Sequence, residues 1–381
     1  MHIGFLTPEY PHDNLSRSGG LGTSIKNLAI ELVRVGVKAT VFIIGQKESK
    51  EFLDEGVVIV CLEKKMHKAF NWYLERKRLE KILNVELSIR QIDLLEGPDW
   101  TGLSAFMSFK VPFIIRMHGS DGYFCHLEGR KQKWKNKILE RRALSKADAL
   151  LSVSTFTGTI TKNLFHLKKE ITTIYNSIDT ERFKPSSVLG NKNLILYYGT
   201  LVRKKGVLEL PYIFNRVIEL NPNAKLLLLG KDNLDVFEGK PTWELFQDKL
   251  SEQSKLSVQY LSEIPYKEVK HYIEQSQVVV LPSYAEAFPM TWLETLAMEK
   301  PLVSSNIGWA KELMIDGLTG FTVNPRNHNH YADKIVALLR NPALCEQLGK
   351  AGRKHVERNF STKKIIPQNI EFYERVIHQY T

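Results

Sequence analysis

Val278-Val-Val-Leu-Pro-Ser-Tyr-Ala-Glu-Ala-Phe-Pro-Met-Thr-Trp-Leu-Glu294 is the stretch on which the reading of this chain turns. Its first four residues are a continuous apolar run, the mark of a strand buried in a parallel sheet. A Pro/Ser loop carrying Glu286 follows. Pro289 suits the first position of a helix, where its missing N–H has no partner to lose. That helix, expected from about Met290 to Met298, carries Glu294 one turn inside. Two carboxylates are thereby placed around a helix N-terminus at the carboxyl end of a buried strand, where open α/β sheets bind ligands. Taken alone, the same residues also fit a solvated loop glutamate and a surface helix glutamate, so the rest of the chain must supply the context.

Working outward, strands and helices alternate on both sides. Before this stretch, Ile3–Leu6, Ala39–Ile44, Val57–Cys61, Leu94–Glu96, Phe113–Arg116, Ala149–Val153 and Ile171–Tyr175 read as strands. Helices are expected over Ser24–Val35, about Ala69–Ser88, Lys131–Ser145 and Phe156–Leu164. The segment Thr180–Lys192, with its Pro, Ser and Gly, breaks the pattern and reads as a linker. The alternation then restarts with strands at Leu194–Tyr198, Lys225–Leu229 and Val258–Tyr260, and continues past the opening stretch with Leu302–Ser304 and Gly320–Val323. Helices close the chain over about His328–Arg340, Ala343–Glu357 and Lys363–Gln379. Strands separated by helical segments mean βαβ units with right-handed crossovers. The expectation is an α/β chain of two doubly wound, Rossmann-like domains facing across a cleft.

Composition fits that architecture. A length of 381 residues suggests two domains, and 43% hydrophobic with 25% charged residues is ordinary for a globular protein. Cys61, Cys125 and Cys345 form neither a metal-ligand spacing nor a disulfide framework, which favours a reducing compartment. The start at Met1 lacks the pattern of a signal peptide, and no run reaches the ~18 apolar residues of a membrane span. A cytoplasmic location is expected. The net charge of +11 concentrates in residues 129–146, with eight basic residues and one acidic, and in a second basic segment over 64–81. Trp134, Ile138 and Leu139 are interleaved in the first, and Phe70, Tyr73 and Leu74 in the second. Such helices permit docking on an anionic membrane surface, at the inner face, or binding to nucleic acid; two solvated helix faces are the plainer alternative.

Several strand ends carry candidate chemistry. Ser18-Gly-Gly-Leu-Gly-Thr-Ser24 opens a helix, where Gly19, Gly20 and Gly22 let a ligand approach the backbone and the helix N-terminus attracts anions. It is a poor dinucleotide fingerprint, because 12 residues separate Leu6 from Gly19. His118 and Asp121 follow the strand ending at Arg116, and Asp99 and Trp100 follow the one ending at Glu96. Gly199-Thr-Leu-Val-Arg-Lys-Lys-Gly206 sits between strand and helix, and its Arg203 and Lys205 are placed to clamp a diphosphate. A Walker loop is excluded by the spacing.

In order and spacing, these pieces resemble the retaining GT-B glycosyltransferases of family 4, which use nucleotide-activated sugars. The resemblance runs through Gly19-Gly-Leu-Gly22, His118-Gly, Tyr175-Asn-Ser-Ile-Asp-Thr-Glu-Arg-Phe-Lys-Pro185, Gly199 to Gly206, the E-x7-E pair Glu286 and Glu294, Ala297–Ser304 and Asp316–Gly320. It implies an acceptor-binding domain over 1–180, a nucleotide-sugar-binding domain over 181–362, and a final helix over 363–381 packing back on the first domain. It further implies that Lys205 holds the diphosphate, with backbone N–H groups around Phe288, Pro289, Met290 and Thr291. Glu294 would take the ribose hydroxyls, Glu286 and His118 the donor sugar, and Gly19–Gly22 the diphosphate from the other domain. Asp99, Trp100 and Asp121 would touch the acceptor. Thr200 stands where many members have Arg, so Arg203 is expected to supply the second cation; Pro289 replaces the usual Gly and removes one N–H donor.

No Asp-x-Asp arrangement offers a divalent-ion site, and no lysine is marked for a pyridoxal cofactor, so neither metal nor cofactor is expected. The function that follows is transfer of a hexosyl group from a nucleoside-diphosphate sugar, UDP-linked by preference, to a cell-surface glycan or glycolipid. An epimerase acting on the nucleotide-sugar alone is the alternative. A basic nucleic-acid-binding module is disfavoured, because the strand-end constellations would then have no use.

Overall fold

In the computed structural model, residues 1–15, 18–66, 71–185, 190–262 and 264–380 are described. Part of the 64–81 segment (67–70, which includes Phe70 and the expected helix start at Ala69) and part of the 180–192 linker (186–189) therefore lie outside the described residues. The chain divides into two compact units, Met1–Ser177 with Thr362–Thr381, and Ile178–Ser361.

In the first unit, apolar runs become strands β1 (His2–Thr7), β2 (Lys38–Gln46), β3 (Lys50–Asp54), β4 (Val57–Glu63), β5 (Leu94–Pro98), β6 (Phe113–Met117), β7 (Ala149–Ser152) and β8 (Ile171–Thr173). Among the described residues they form one sheet in the order β3-β4-β2-β1-β5-β6-β7-β8, parallel except for β3. Helices α1 (Gly20–Arg34), α2 (Asn71–Ile89), α3 (Asp121–Leu127), α4 (Trp134–Lys146) and α5 (Thr155–Phe165) connect them. Two apolar clusters fill the unit. One has Phe5, Val41, Leu28 and Leu32 with Phe372 and Tyr373 of the last helix; the other has Phe42, Leu83, Leu95 and Ile115.

The second unit repeats the plan with β9 (Leu194–Tyr198), β10 (Lys225–Leu229), β11 (Val258–Leu261), β12 (Val278–Leu281), β13 (Leu302–Ser305) and β14 (Phe321–Val323). Their order is β11-β10-β9-β12-β13-β14, and every pairing is parallel. Its helices are α6 (Leu210–Leu220), α7 (Thr242–Gln247), α8 (Glu252–Lys255), α9 (Tyr266–Gln275), α10 (Met290–Ala297), α11 (Ala310–Leu313), α12 (His328–Arg340) and α13 (Pro342–Asn359). The last helix, α14 (Thr362–Tyr380), belongs to the first unit. A buried polar knot fixes it there. Arg116 of β6 reaches Glu96 with both prongs (2.6 and 2.9 Å), and also Asn369 (2.6 Å) and the Tyr373 hydroxyl (3.0 Å) of α14. A buried guanidinium needs this full set of acceptors, since an unpaired charge inside costs several kcal/mol.

Strand order reverses direction once in each sheet: between β1 and β5 in the first, and between β9 and β12 in the second. Doubly wound sheets bind ligands outside the carboxyl ends at these reversals.

Three local expectations change. Helix α1 starts at Gly20, not Ser24: the Thr23 N–H bonds to the Gly19 carbonyl (3.2 Å), so the glycines form the first turn. Pro289 precedes α10 as its extended cap residue and is not its first helical residue. Asp121 opens a helix, α3, that no periodicity announced. Among the described residues, no helix is long and apolar enough to cross a membrane.

Candidate functional site

The β9–β12 reversal brings together the two loops of the second unit that the sequence marks. Gly206 makes this possible. It lies at φ 70°, and a Cβ there would meet the Pro282 carbonyl oxygen at 1.9 Å, so only glycine lets the loop after β9 lie against the loop after β12. The loops are then zipped by backbone bonds, with the Tyr284 and Ala285 N–H groups donating to the Lys204 carbonyl at 2.8 and 3.1 Å. This contact delivers Lys205 to Glu286. Their side chains form an ion pair of 2.6 Å, and the Ser283 hydroxyl donates to the same carboxylate oxygen at 3.0 Å.

Helix α10 starts a few residues on, and its first N–H groups, at Met290 and Thr291, have no partner within the helix by construction. Phe288 turns its ring into the unit against Phe360, with centroids 5.3 Å apart, so only its backbone can serve a ligand. Thr200 meets its neighbours through its backbone, its carbonyl accepting the Tyr197 hydroxyl at 3.0 Å. Glu294 is 2% exposed. Its Oε1 accepts the Tyr266 hydroxyl at 2.6 Å. Burial raises its pKa, opposed first by the hydrogen bond from Tyr266 and then by the nearby Tyr198 hydroxyl and the charges of Arg182 and Lys205. The sequence did not single out Tyr266. It lies 28 residues from Glu294, and nothing in the local pattern links the two.

Arg203 departs from the expectation that it supplies a second cation for phosphate. Its guanidinium is held by the buried Asp235 carboxylate through two bonds (2.8 and 3.1 Å) and by Glu238 (2.9 Å). Asp235 also accepts the Phe237 and Glu238 N–H groups, which fixes the loop after β10. Arg203 is thus tied to the loop after β10, and Lys205 is the cation of this loop paired with Glu286.

In the first unit, the marked residues gather around a carboxylate that the sequence reading passed over. Glu140, on α4, is fully buried and accepts the Thr101 and Asp121 N–H groups on Oε1 (3.1 and 3.0 Å). On Oε2 it accepts the Gly122 N–H and the Gln132 amide (3.1 and 2.7 Å). It therefore ties the ends of β5 and β6 to α4. Gly102 permits the approach: it sits at φ 60°, and a Cβ would strike the Leu139 carbonyl carbon at 2.3 Å. Burial pushes the Glu140 carboxyl up to about 7.

Asp99 is also buried. Its Oδ1 accepts the His118 N–H at 3.0 Å, whereas Oδ2 is enclosed without a hydrogen-bond partner. Burial first, then the charge of Glu140, push it up to about 8. The His118 ring goes the other way, to about 3, through burial and the nearby Arg116 charge, and is neutral at physiological pH. Trp100 is 39% exposed beside Phe124. Asp121 is engaged within the unit, accepting the Asn136 amide at 3.0 Å and the Cys125 thiol at 3.6 Å. At the β1 end, the Gly22 N–H donates to the Glu9 carboxylate at 2.9 Å, which places an anion of the chain itself on the first turn of α1.

The two basic helices differ in how their charges are spent. On α2, Arg78 bonds Glu75, Lys77 bonds Glu80, and Arg76 reaches the Gly102 carbonyl. On α4, Trp134 (67%) and Ile138 (52%) are exposed among lysines.

Comparison with known proteins agrees with this geometry. Residues 179–355 match the family described as Glycosyl transferases group 1, and residues 18–182 match Glycosyltransferase Family 4. The chain is 24% identical to glycogen synthase of Mycobacterium tuberculosis, over 98% of this chain and 94% of that one. Its fold is similar to sucrose-phosphate synthase of Thermosynechococcus elongatus (TM-score 0.80, 18% identity, 99% of each chain). It is similar, too, to HepE of Anabaena in complex with UDP (TM-score 0.73, 15% identity, 98% of this chain and 100% of that one).

Proposed function

For a chain that belongs to the GT-B glycosyltransferases, we propose transfer of a hexosyl group from a UDP-sugar, with retention of configuration, to a hydroxyl of a cell-surface glycan or glycolipid. The observation that carries this reading is the Lys205–Glu286 pair of 2.6 Å at the β9–β12 reversal, set beside the N-terminus of α10.

The chemistry follows from charge. As the bond from the anomeric carbon to the diphosphate breaks, the leaving group takes both electrons and its oxygen becomes more negative. A fixed ammonium and unpartnered N–H groups stabilise that charge without having to reorganise. Lys205 and the N–H groups of Met290 and Thr291 supply both, so the step is written without a metal; EDTA should leave turnover unchanged. When phosphate draws Lys205 away, the Glu286 carboxylate is released toward the sugar hydroxyls. Glu286, still accepting the Ser283 hydroxyl, orients the sugar. The substitution is written on one face: the acceptor oxygen bonds the anomeric carbon as the diphosphate leaves, and the leaving phosphate oxygen takes the acceptor's proton. Glu294 takes the ribose hydroxyls, and the preference for UDP draws on the UDP complex of HepE. His118 serves the donor sugar as a neutral imidazole. Trp100 serves the acceptor while buried Asp99 holds the His118 backbone beside it, and the exposed Trp134 and Ile138 among the lysines of α4 suit an acceptor presented at an anionic membrane surface.

The experiment is a thermal-shift screen against nucleotide-sugars, with the anomeric configuration of the product read by NMR. A UDP-sugar should stabilise the protein most and yield product of unchanged configuration. Stabilisation only by other nucleotides, or an inverted product, contradicts that part of the reading.

A further inference from the structure

Tyr266 opens α9, yet its hydroxyl serves α10. It donates to Glu294 Oε1 at 2.6 Å, a short bond for a phenol on a carboxylate. The ring is held in place from the other side. The Arg182 guanidinium lies over it, 5.6 Å from the centroid, and Phe183 packs beside it at 6.3 Å. The Arg182 backbone is itself held by the Asp179 carboxylate, which accepts its main-chain N–H at 3.0 Å. An aromatic side chain has few rotatable bonds, so a ring locked in this way fixes its hydroxyl closely. Below Glu294, the Tyr198 hydroxyl donates to the Thr291 carbonyl at 2.5 Å and shares a hydrogen bond with Thr295.

A buried carboxylate needs donors to stay ionised. Had an arginine met it bidentately, both oxygens would be committed to that fork. A phenol uses one of about four lone-pair sites, is neutral, and leaves the anion able to accept from hydroxyls. This arrangement suits an acceptor for a vicinal diol better than a structural ion pair.

We propose that Tyr266 is the positioning residue for ribose recognition: its hydroxyl orients the Glu294 carboxylate as an acceptor for the ribose hydroxyls, and so sets the preference for ribonucleotides over deoxyribonucleotides. The proposal rests on the assignment of Glu294 to the ribose. The groups facing Glu294 are the Tyr266 and Tyr198 phenols and the cations Arg182 and Lys205. Removing only the Tyr266 hydroxyl withdraws a donor from a carboxylate whose pKa burial already raises. Its ionisation, and with it the ribose preference, then becomes sensitive to pH.

The test is calorimetric titration of UDP and 2′-deoxy-UDP into the full chain and Tyr266→Phe at pH 6.5, 7.5 and 8.5, with thermal melting to confirm that the variant folds. The wild type should prefer UDP by ~10-fold or more, the scale of one hydroxyl on a charged acceptor. In Tyr266→Phe the ratio should be smaller than in the wild type, and most so at the lowest pH, because the loss of a donor raises further a pKa that burial already raises. The phosphate titration is common to both ligands and cancels in the ratio. With Glu294→Gln in the background, Tyr266→Phe should change the ratio no further.

A Tyr266→Phe ratio equal to the wild type at every pH overturns the role of Tyr266 and leaves Glu294 on the ribose. A wild type that binds UDP but does not distinguish 2′-deoxy-UDP removes Glu294 from the ribose, and the proposal with it, while nucleotide binding stands. A wild type that binds none of UDP, ADP and GDP overturns the proposed function itself.

Discussion

Acidic side chains gather near the carboxyl ends of β9 and β12 in the second unit and of β5 and β6 in the first, and two of them, Glu286 and Glu140, are treated in opposite ways. In the second unit, Glu286 is paired with Lys205, while Glu294 is buried, accepts the Tyr266 hydroxyl and, like the first unit's acids, has its pKa raised by burial. In the first unit, among the described residues, Glu140 is met by three backbone N–H groups and an amide, and Asp99 by backbone N–H groups. A carboxylate beside a lysine is held as a charge that a ligand can compete for. A carboxylate buried among neutral donors is drawn towards its protonated form and acts as a fastener. The Lys205–Glu286 pair is therefore open to exchange, whereas Glu140 and Asp99 fasten the loops that carry His118 and Trp100.

The largest effect expected from this contrast is on folding. Glu140→Leu removes the acceptor of four donors at once and should cost about 3–5 kcal/mol, measured by urea unfolding; Glu140→Gln, which keeps an acceptor oxygen, should cost much less. Equal losses would mean that Glu140 contributes bulk and not hydrogen bonds. Next, Glu286→Ala should lower kcat on the order of 10²-fold, the scale of a charged contact strengthened in the transition state. Its affinity for UDP should be unchanged or tighter, since Lys205 is released from its ion pair. Glu294→Ala should do the reverse, weakening UDP with less effect on kcat. If the two variants behave alike, the division between them is wrong.

The smallest effect is a slope. Asp99, at about 8, and Glu140, at about 7, lie above their unfolded values near 4. The folded chain thus holds protons that the unfolded chain releases. Their contribution to stability is present below about pH 4 and is lost as pH rises towards 8. Asp99→Asn keeps the acceptor for the His118 N–H but removes that titration. The melting temperature of the variant relative to the wild type should therefore rise from pH 5 to pH 8.5. A constant difference would show that Asp99 is ionised in the folded state. His118, already neutral, should contribute no limb to the kcat/KM profile between pH 5 and 8.

How legible each part was in the sequence follows from the range of the interaction that fixes it. Strands such as Val278–Leu281 are readable because burial on both faces demands an unbroken apolar run. The edge strand β3 was missed because Lys50-Glu-Phe-Leu-Asp54 is charged and half exposed, as an edge should be. Helix α1 looked shorter than it is because glycines read as loop. The Lys205 and Glu286 loops were legible through their strand ends and glycines, yet their direct pairing was not. The same limit explains Arg203: its neighbour Lys205 made it look like a phosphate ligand, while the partner that holds it, Asp235, lies 32 residues on. Glu140 and Tyr266 were invisible for the same reason, since their partners are distant in the chain and near only in the fold.

The central claim is that the β9–β12 reversal binds the diphosphate of the donor through Lys205. Calorimetric titration of UDP into the wild type and Lys205→Ala tests it most directly. Loss of one charge-assisted contact should weaken binding by roughly 10- to 100-fold, with the melting temperature of the free protein little changed. Equal affinity for UDP in the two proteins would contradict it.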